Sequence, residues 1–137
     1  EKNGCKIIGH NKVRKSYNGK IQKASIKDWS KEYLAPIVSI KSVKNIDEAI
    51  HHINKYGTMH TDCIITKNNS SAKKFLREVK SSIAMHNTST QFADGGEFGF
   101  GGEVGISTSN LPPRGPVGLN QLVSYKYQVT SKGKTRK

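Results

Sequence analysis

Between Tyr33 and Asn87 the apolar positions of this chain switch repeatedly between short runs and a helical repeat. The run Ile37, Val38, Ile40 and Val43 follows Pro36 and is rich in β-branched residues, which predicts a buried strand. Asn45 with Glu48 three residues on has the form of a capping box, and Ile46, Ala49, Ile50 and Ile53 recur at helical spacing. That predicts a helix ending near Tyr56-Gly57, with His51, His52, Asn54 and Lys55 facing water. DCIIT, Asp62 to Thr66, predicts a second strand, and Asn68-Asn69-Ser70 supplies turn and cap chemistry. A second amphipathic helix sets Ala72, Phe75, Leu76 and Val79 against Lys73, Lys74, Arg77, Glu78 and Lys80. IAMHN, Ile83 to Asn87, predicts a third strand. Strands joined by helices of this length run parallel, so residues 34–87 read as a β-α-β-α-β unit with right-handed crossovers, and the fold class is α/β.

The flanks are less regular. Residues 1–31 mix Gly, Lys, Asn and Ser around Ile7 and Ile8, which predicts a short strand, Lys6 to Gly9, and then an irregular basic stretch. After Asn87 comes FADGGEFGFGGEVGIST, Phe92 to Thr108, with glycine at 95, 96, 99, 101, 102 and 105. Phe92, Phe98, Phe100, Val104 and Ile106 within it predict a packed segment, whereas the glycines alone suit an exposed connector. Leu111-Pro-Pro-Arg-Gly-Pro116 reads as irregular, Gly118 to Val123 as a short helical turn and Ser124 to Val129, by its alternation, as a final strand lacking partners within the chain. The organisation expected is thus 1–31 basic and irregular, 32–123 one globular unit, 124–129 a strand and 130–137 a disordered basic tail.

Composition restricts the class of protein. The chain has 23 Lys+Arg against 10 Asp+Glu, a formal charge of +13. The lysines are scattered over helix faces and both termini, not interleaved with aromatics along one groove, so nucleic acid is not the partner expected. An anion-binding surface is the alternative that this charge leaves open. Two cysteines, Cys5 and Cys63, make no disulfide framework, and no secretory leader or apolar run of membrane-spanning length is legible, which points to a cytoplasmic protein. The chain begins at Glu1 instead of methionine, as a piece of a longer polypeptide or a processed chain would. His10, His51, His52, His60 and His86 match no zinc spacing with the cysteines, so no metal site is expected. Gly99 and Gly101 open a G-x-G, but Val104 stands where the third glycine of a dinucleotide fingerprint belongs and Leu111-Pro112-Pro113 blocks the helix that should follow. Both cysteines lie in or beside short strands and read as structural, so no catalytic residue is assigned.

The stretches EYLAPIVSIKSVKNIDEAIHHINKYGTMHTDCIIT, FLREVKSSIAMHNTSTQFADGGEFGFGGEVGIST and PPRGPVGLNQLVSYKYQV closely resemble the C-terminal part of the glutamate-5-semialdehyde dehydrogenases, also called gamma-glutamyl phosphate reductases, within the aldehyde dehydrogenase superfamily. The resemblance runs from about Asp28 to Val129. It implies that residues 32–123 are the C-terminal part of a catalytic domain and that 124–129 are an oligomerisation strand. It further implies NADPH-dependent reduction of L-glutamate 5-phosphate to glutamate 5-semialdehyde for proline synthesis, by way of a cysteine thioester.

Carried onto this chain, the resemblance gives Glu32 the hold on the nicotinamide ribose and places Leu34 beside the nicotinamide. A carboxylate offers two acceptors to two vicinal hydroxyls. It gives Asn87, Ser89, Thr90, the Phe98-Gly99-Phe100-Gly101 loop and Arg114 a place at the border of the substrate pocket, where amide, hydroxyl and guanidinium donors suit a phosphorylated amino acid. Two departures weaken that border: Gln91 stands where the family usually has arginine, and Pro112-Pro113 where a His-Ala type pair is common. The family's nucleotide-binding domain and its cysteine-bearing stretch both precede the region resembled. NADPH is therefore not expected to bind tightly to this chain alone, nor is turnover expected. The partners implied are a second copy in a dimer, or a separate N-terminal half. Two rival readings remain beside it: half of a split enzyme active only with that N-terminal half, and a basic binding module for anions or nucleic acid.

Overall fold

The computed structural model describes residues 4–17, 19 and 21–136. Positions 1–3, 18, 20 and 137 lie outside the described residues, and with them those parts of the basic N-terminal segment and the basic tail. Ten strands and helices follow one another among the described residues. Strand β1 (Lys6–Gly9), helix α1 (Asn11–Lys15) and strand β2 (Gln22–Lys23) lead through a 3-10 turn at Ile26–Ser30 to strand β3 (Ile37–Ile40). Helix α2 (Ile46–Tyr56), strand β4 (Thr61–Ile64), helix α3 (Asn69–Glu78) and strand β5 (Ile83–His86) come next, then strands β6 (Gly105–Ser107) and β7 (Gly115–Val117).

The α/β class and the element order β-α-β-α-β stand as the periodicity predicts. Asn45 caps α2 by accepting from the Glu48 amide, and Asn68 caps α3 through the Ser71 amide, each satisfying a donor that the helix leaves unpaired. Glu48 completes the reciprocal arrangement one residue early, accepting from Lys44 N at 2.9 Å. The ladders, though, are divided between two parallel sheets. β4 pairs with β5, Thr61 opposite Ile83, while β3 pairs with β1, Lys6 opposite Ile37, and β2 lies on the far side of β1. A helix of α2's length brings the next strand back parallel, but it does not dictate which neighbour the preceding strand takes.

The densest core lies under the helices. Ile50, Phe75 and Val79 are buried against one another, with Ile46, Ile53 and Ile64 packed around them. Several details differ from the pattern. β3 is half-exposed instead of buried: Val38 and Ile40 stand 42% and 37% exposed, because no layer among the described residues covers that face. Leu76 is exposed, and Val79 lies one residue past α3 in extended backbone. On the face of α2 expected in water, His52 packs edge-on to Trp29 at 5.3 Å, and Asn54 clamps the end of α3. Its Nδ2 donates to Glu78 O at 2.9 Å and its Oδ1 accepts from Lys80 N at 2.8 Å. The N-terminal stretch is more regular than its composition suggests, because α1 packs on β1. A Cβ on Gly9 would stand 2.8 Å from Ile21 and 3.3 Å from Val13.

The proline-rich stretch is the clearest correction. Gly115-Pro-Val117 forms β7, antiparallel to β6, with Ile106 opposite Pro116. Proline fits a two-stranded edge because its missing N–H can face away from the ladder. The Gly118 to Val123 turn is realised as a 3-10 turn at Leu119–Gln121. Ser124 to Val129 joins no ladder among the described residues.

Candidate functional site

An open cleft of about 510 Å³ lies between the 3-10 turn Ile26–Ser30 and the N-terminal end of β4, and Glu32 lines it together with Trp29, Lys31, Tyr56, His60, Asp62 and Thr108. Glu32 is exposed, and no protein hydrogen bond or ion pair takes up its carboxylate among the described residues. Leu34, two residues on, has φ +48 and is 90% exposed, so its side chain is offered outward and not to the core. The left-handed backbone there turns the chain toward Pro36, whose carbonyl accepts from Lys6 N at 2.8 Å and seats the turn on β1.

The cleft floor is polar. His60 Nδ1 and Thr61 Oγ1 share a 2.7 Å hydrogen bond, and the Asp62 carboxylate accepts from the Ser81 hydroxyl at the start of the β5 connection. Burial raises the Asp62 carboxyl above its ordinary value, while the Ser81 hydrogen bond and nearby His60 act in the other direction. Asp62 and Thr108 carried no site reading in the sequence, and His60 entered only among the histidines whose spacing suits no zinc. The legible signal was Asp62 itself, a carboxylate at a position of an apolar strand that otherwise asks for an aliphatic residue.

The remaining predicted positions are distributed over the opposite ends of β5. Asn87, at φ +55, follows its C-terminal end, where Nδ2 donates to Thr66 O at 2.9 Å and Oδ1 accepts from Thr66 N at 2.8 Å. Its amide is thus occupied in joining β5 to the strand-end of β4, and His86 Nε2 donates to the same carbonyl at 2.9 Å. Ser89 caps a 3-10 turn at Thr90–Phe92 by accepting from Gln91 N. Thr90 is exposed there. Arg114 lies at the other end, its guanidinium donating to the carbonyl of Lys80. The β6–β7 hairpin is fixed at that end too, by Ser82 Oγ donating to Ser107 O at 2.8 Å. Since β4 and β5 are parallel and in register, Glu32 and Arg114 share the N-terminal side. Asn87, Ser89 and Thr90 stand roughly 13 Å away along four residues of strand, at about 3.3 Å each.

The glycine-rich loop folds on itself. Gly95 N donates to Glu103 Oε2 at 2.7 Å, Gly96 N to Asp94 Oδ1 at 2.7 Å and Phe100 N to Gly95 O at 2.8 Å. Gly99 and Gly101 hold φ of +77 and +75, with open space where a Cβ would stand, so backbone conformation and not crowding selects glycine. Phe98 and Phe100 meet edge to face at 6.3 Å and are half-exposed. Phe100 and Gly102 also close on Gly118, which anchors the loop to the end of β7. The loop is ordered by its own carboxylates, with Phe98 and Gly99 presented on its surface.

Neither thiol is set up for attack. Cys63 Sγ donates to Thr88 O at 3.1 Å from a half-buried place on β4, and Cys5 Sγ lies near its neighbour's carbonyl. Among the described residues no group of three or more His, Cys, Asp or Glu could hold a metal ion, and no helix is long and apolar enough to cross a membrane.

Residues 22–126 match the aldehyde dehydrogenase family. The chain is 50% identical to the gamma-glutamyl phosphate reductase of Bradyrhizobium diazoefficiens over 133 residues, 97% of this chain and 30% of that protein. It is 55% identical to the gamma-glutamyl phosphate reductase of Prochlorococcus marinus over 131 residues, again 30% of that protein. The crystal structure of gamma-glutamyl phosphate reductase from Thermotoga maritima superposes with a TM-score of 0.92 at 46% identity, covering 99% of this chain and 33% of that one. The chain therefore spans about 30% of the length of the curated relatives it matches.

Proposed function

Because the chain belongs to the aldehyde dehydrogenase family, we propose that it is the C-terminal part of the catalytic domain of a cytoplasmic gamma-glutamyl phosphate reductase, which reduces L-glutamate 5-phosphate with NADPH in proline synthesis. The observation that carries this reading is the likeness over nearly the whole chain, at 46% identity and a TM-score of 0.92, to a solved enzyme of that name. Residues 32–123 then contribute the catalytic-domain part and 124–129 a strand completed by another polypeptide, in a dimer or with a separately made N-terminal half.

The residues present fit a ribosyl nicotinamide. Glu32 has a carboxylate free of protein partners on the cleft, and two acceptor oxygens suit two vicinal hydroxyls. Leu34 offers an apolar surface at the rim for a planar ring. A reduced nicotinamide bound there supplies the hydride. Arg114 spends one donor on Lys80 O and retains others for an anion at the N-terminal end of β5, while Ser89 and Thr90 stay exposed past its other end and Phe98 and Gly99 on the glycine loop. Asn87 contributes by holding the strand ends, since both ends of its amide are engaged.

Nucleophilic attack belongs to a thiolate that these 137 residues do not provide, so the chain alone turns over no substrate. The test follows NADPH consumption with gamma-glutamyl phosphate, or the reverse reaction, for the chain alone and mixed with an N-terminal half from a relative. No rate alone and a rate on mixing are expected. Turnover by the 137 residues alone, lost on changing Cys5 or Cys63, overturns the reading. The exposed alternation Val123, Tyr125, Tyr127 and Val129 is a strand-like edge that either a second copy or an N-terminal half completes.

A further inference from the structure

Glu32 sits between residues tied into a hydrogen-bonded ring. Asp28 Oδ2 accepts from Ser25 N at 2.7 Å and Ser25 Oγ at 2.6 Å, closing the 3-10 turn. Its other oxygen accepts from the Tyr33 hydroxyl at 2.9 Å, and that hydroxyl lies 2.7 Å from Ser39 Oγ on β3. Ser39 pairs with Ile8 in the β1–β3 ladder, so the ring is anchored in the sheet. The proton order follows from the donor inventory. An ionised Asp28 can only accept, so Tyr33 donates to it and Ser39 donates to Tyr33. The alternative for the Ser39 proton, Asp28 O at 3.4 Å, is the longer contact. Consistently, the Ser25 hydrogen bonds hold Asp28 below the usual carboxylate range, and burial raises the Tyr33 phenol. Lys31 Nζ stands 5.4 Å over the Tyr33 ring, so the two residues that flank Glu32 are packed on each other.

Tyr33 is drawn in by the ring and half-buried, and Glu32 is turned out over the cleft. We propose that Asp28, Tyr33 and Ser39 are positioning residues for Glu32: their ring fixes the 31–36 turn on β3, and dinucleotide affinity depends on the Tyr33 hydroxyl although that hydroxyl touches no ligand. This rests on the cofactor reading above. The physical basis is preorganisation. A carboxylate with no protein partner has nothing else to fix its place, so a loose turn would have to be ordered at the moment of binding.

The experiment uses the ¹⁵N-labelled chain, mixed with an N-terminal half from a relative, with the variants Tyr33→Phe, Ser39→Ala, Ser39→Thr and Glu32→Gln, titrated with millimolar NADPH and followed by amide shifts. Order parameters are measured for the Glu32, Tyr33, Leu34 and Ala35 backbone. In Tyr33→Phe and Ser39→Ala, the 32–34 amides are expected to fall from about 0.85 toward about 0.6. The Kd for NADPH is expected to rise about three- to tenfold, as loss of one hydrogen bond's net worth predicts. Ser39→Thr keeps a hydroxyl on a strand position and is expected to retain both values. Unchanged order parameters in Tyr33→Phe, an unchanged Kd, or failure of Ser39→Thr to retain the wild-type behaviour overturns the proposal. Absence of NADPH binding by the parent chain mixed with an N-terminal half from a relative, or equal binding by Glu32→Gln, overturns the cofactor reading instead, and the order parameters then decide the ring's part alone.

Discussion

The helical half of the molecule, residues 46–86, and its C-terminal stretch, residues 119–131, both carry a clear hydrophobic pattern, and the pattern has opposite outcomes in the two. Phe75 on α3 is 2% exposed, whereas Tyr125, Tyr127 and Val129 are 83%, 85% and 90% exposed. In the first region a helical repeat finds a second helix and a strand within a few residues of sequence, so each apolar face has a local partner. In the second, alternation presents Tyr125 and Tyr127 to each other at 5.6 Å and to nothing else in the core. Periodicity settles which face is apolar; burial needs a second surface, which the chain supplies only in one case.

The contrast can be tested most strongly at Phe75. Phe75→Ala removes the least exposed side chain of the cluster and is expected to cost about 3–5 kcal/mol in urea unfolding, because the helices cannot fully collapse onto the hole. A loss below about 1 kcal/mol would mean that the helical half is as loosely packed as the terminus.

A pH series sharpens the same comparison at the cleft edge of the core. Asp62 has its pKa raised in the folded chain, chiefly by burial, from an ordinary 3.8. The folded state then favours the protonated carboxyl. Its contribution is fully present below pH 3.8 and is lost as pH rises through the elevated folded value. The stability of the wild-type chain relative to Asp62→Asn should therefore fall across that window and level off above it. Asp28 and Glu48, whose values are lowered by hydrogen bonds, act with the opposite slope in both proteins and cancel in the difference. A difference that stays flat with pH removes the burial argument.

The smallest effect is expected at the terminus. Tyr125→Ser with Tyr127→Ser should change monomer stability by no more than about 0.5 kcal/mol, since neither ring is buried. Light scattering should meanwhile show less self-association than the parent chain, for an unpaired apolar edge is a template for another copy. A large loss of stability without a change in association would reverse the assignment of the two regions.

Much of the fold was legible because its signals are local. Asn45 and Asn68 cap helices within three residues, and Ile46, Ile50 and Ile53 share a face by spacing alone. The site was less legible. Glu32 was found through family likeness, yet its cleft mates His60, Asp62 and Thr108 come from distant segments with no shared spacing. Arg114 and Asn87 look alike in sequence as polar residues near the glycine loop, but they stand at opposite ends of β5. Pro116 argued against regular structure by composition, and the two-stranded edge with β6 admitted it.

The sequence by itself determined the α/β class, the β-α-β-α-β order of the central stretch and the caps of α2 and α3, since each depends on neighbours within one or two turns of chain. Only the tertiary structure decided that β3 pairs with β1, that Asp28 and Ser39 hold Tyr33 beside Glu32, and that the cleft forms at the start of β4. Those outcomes depend on which surfaces exclude water together, and no spacing along the chain encodes the distance between two segments that meet only on folding.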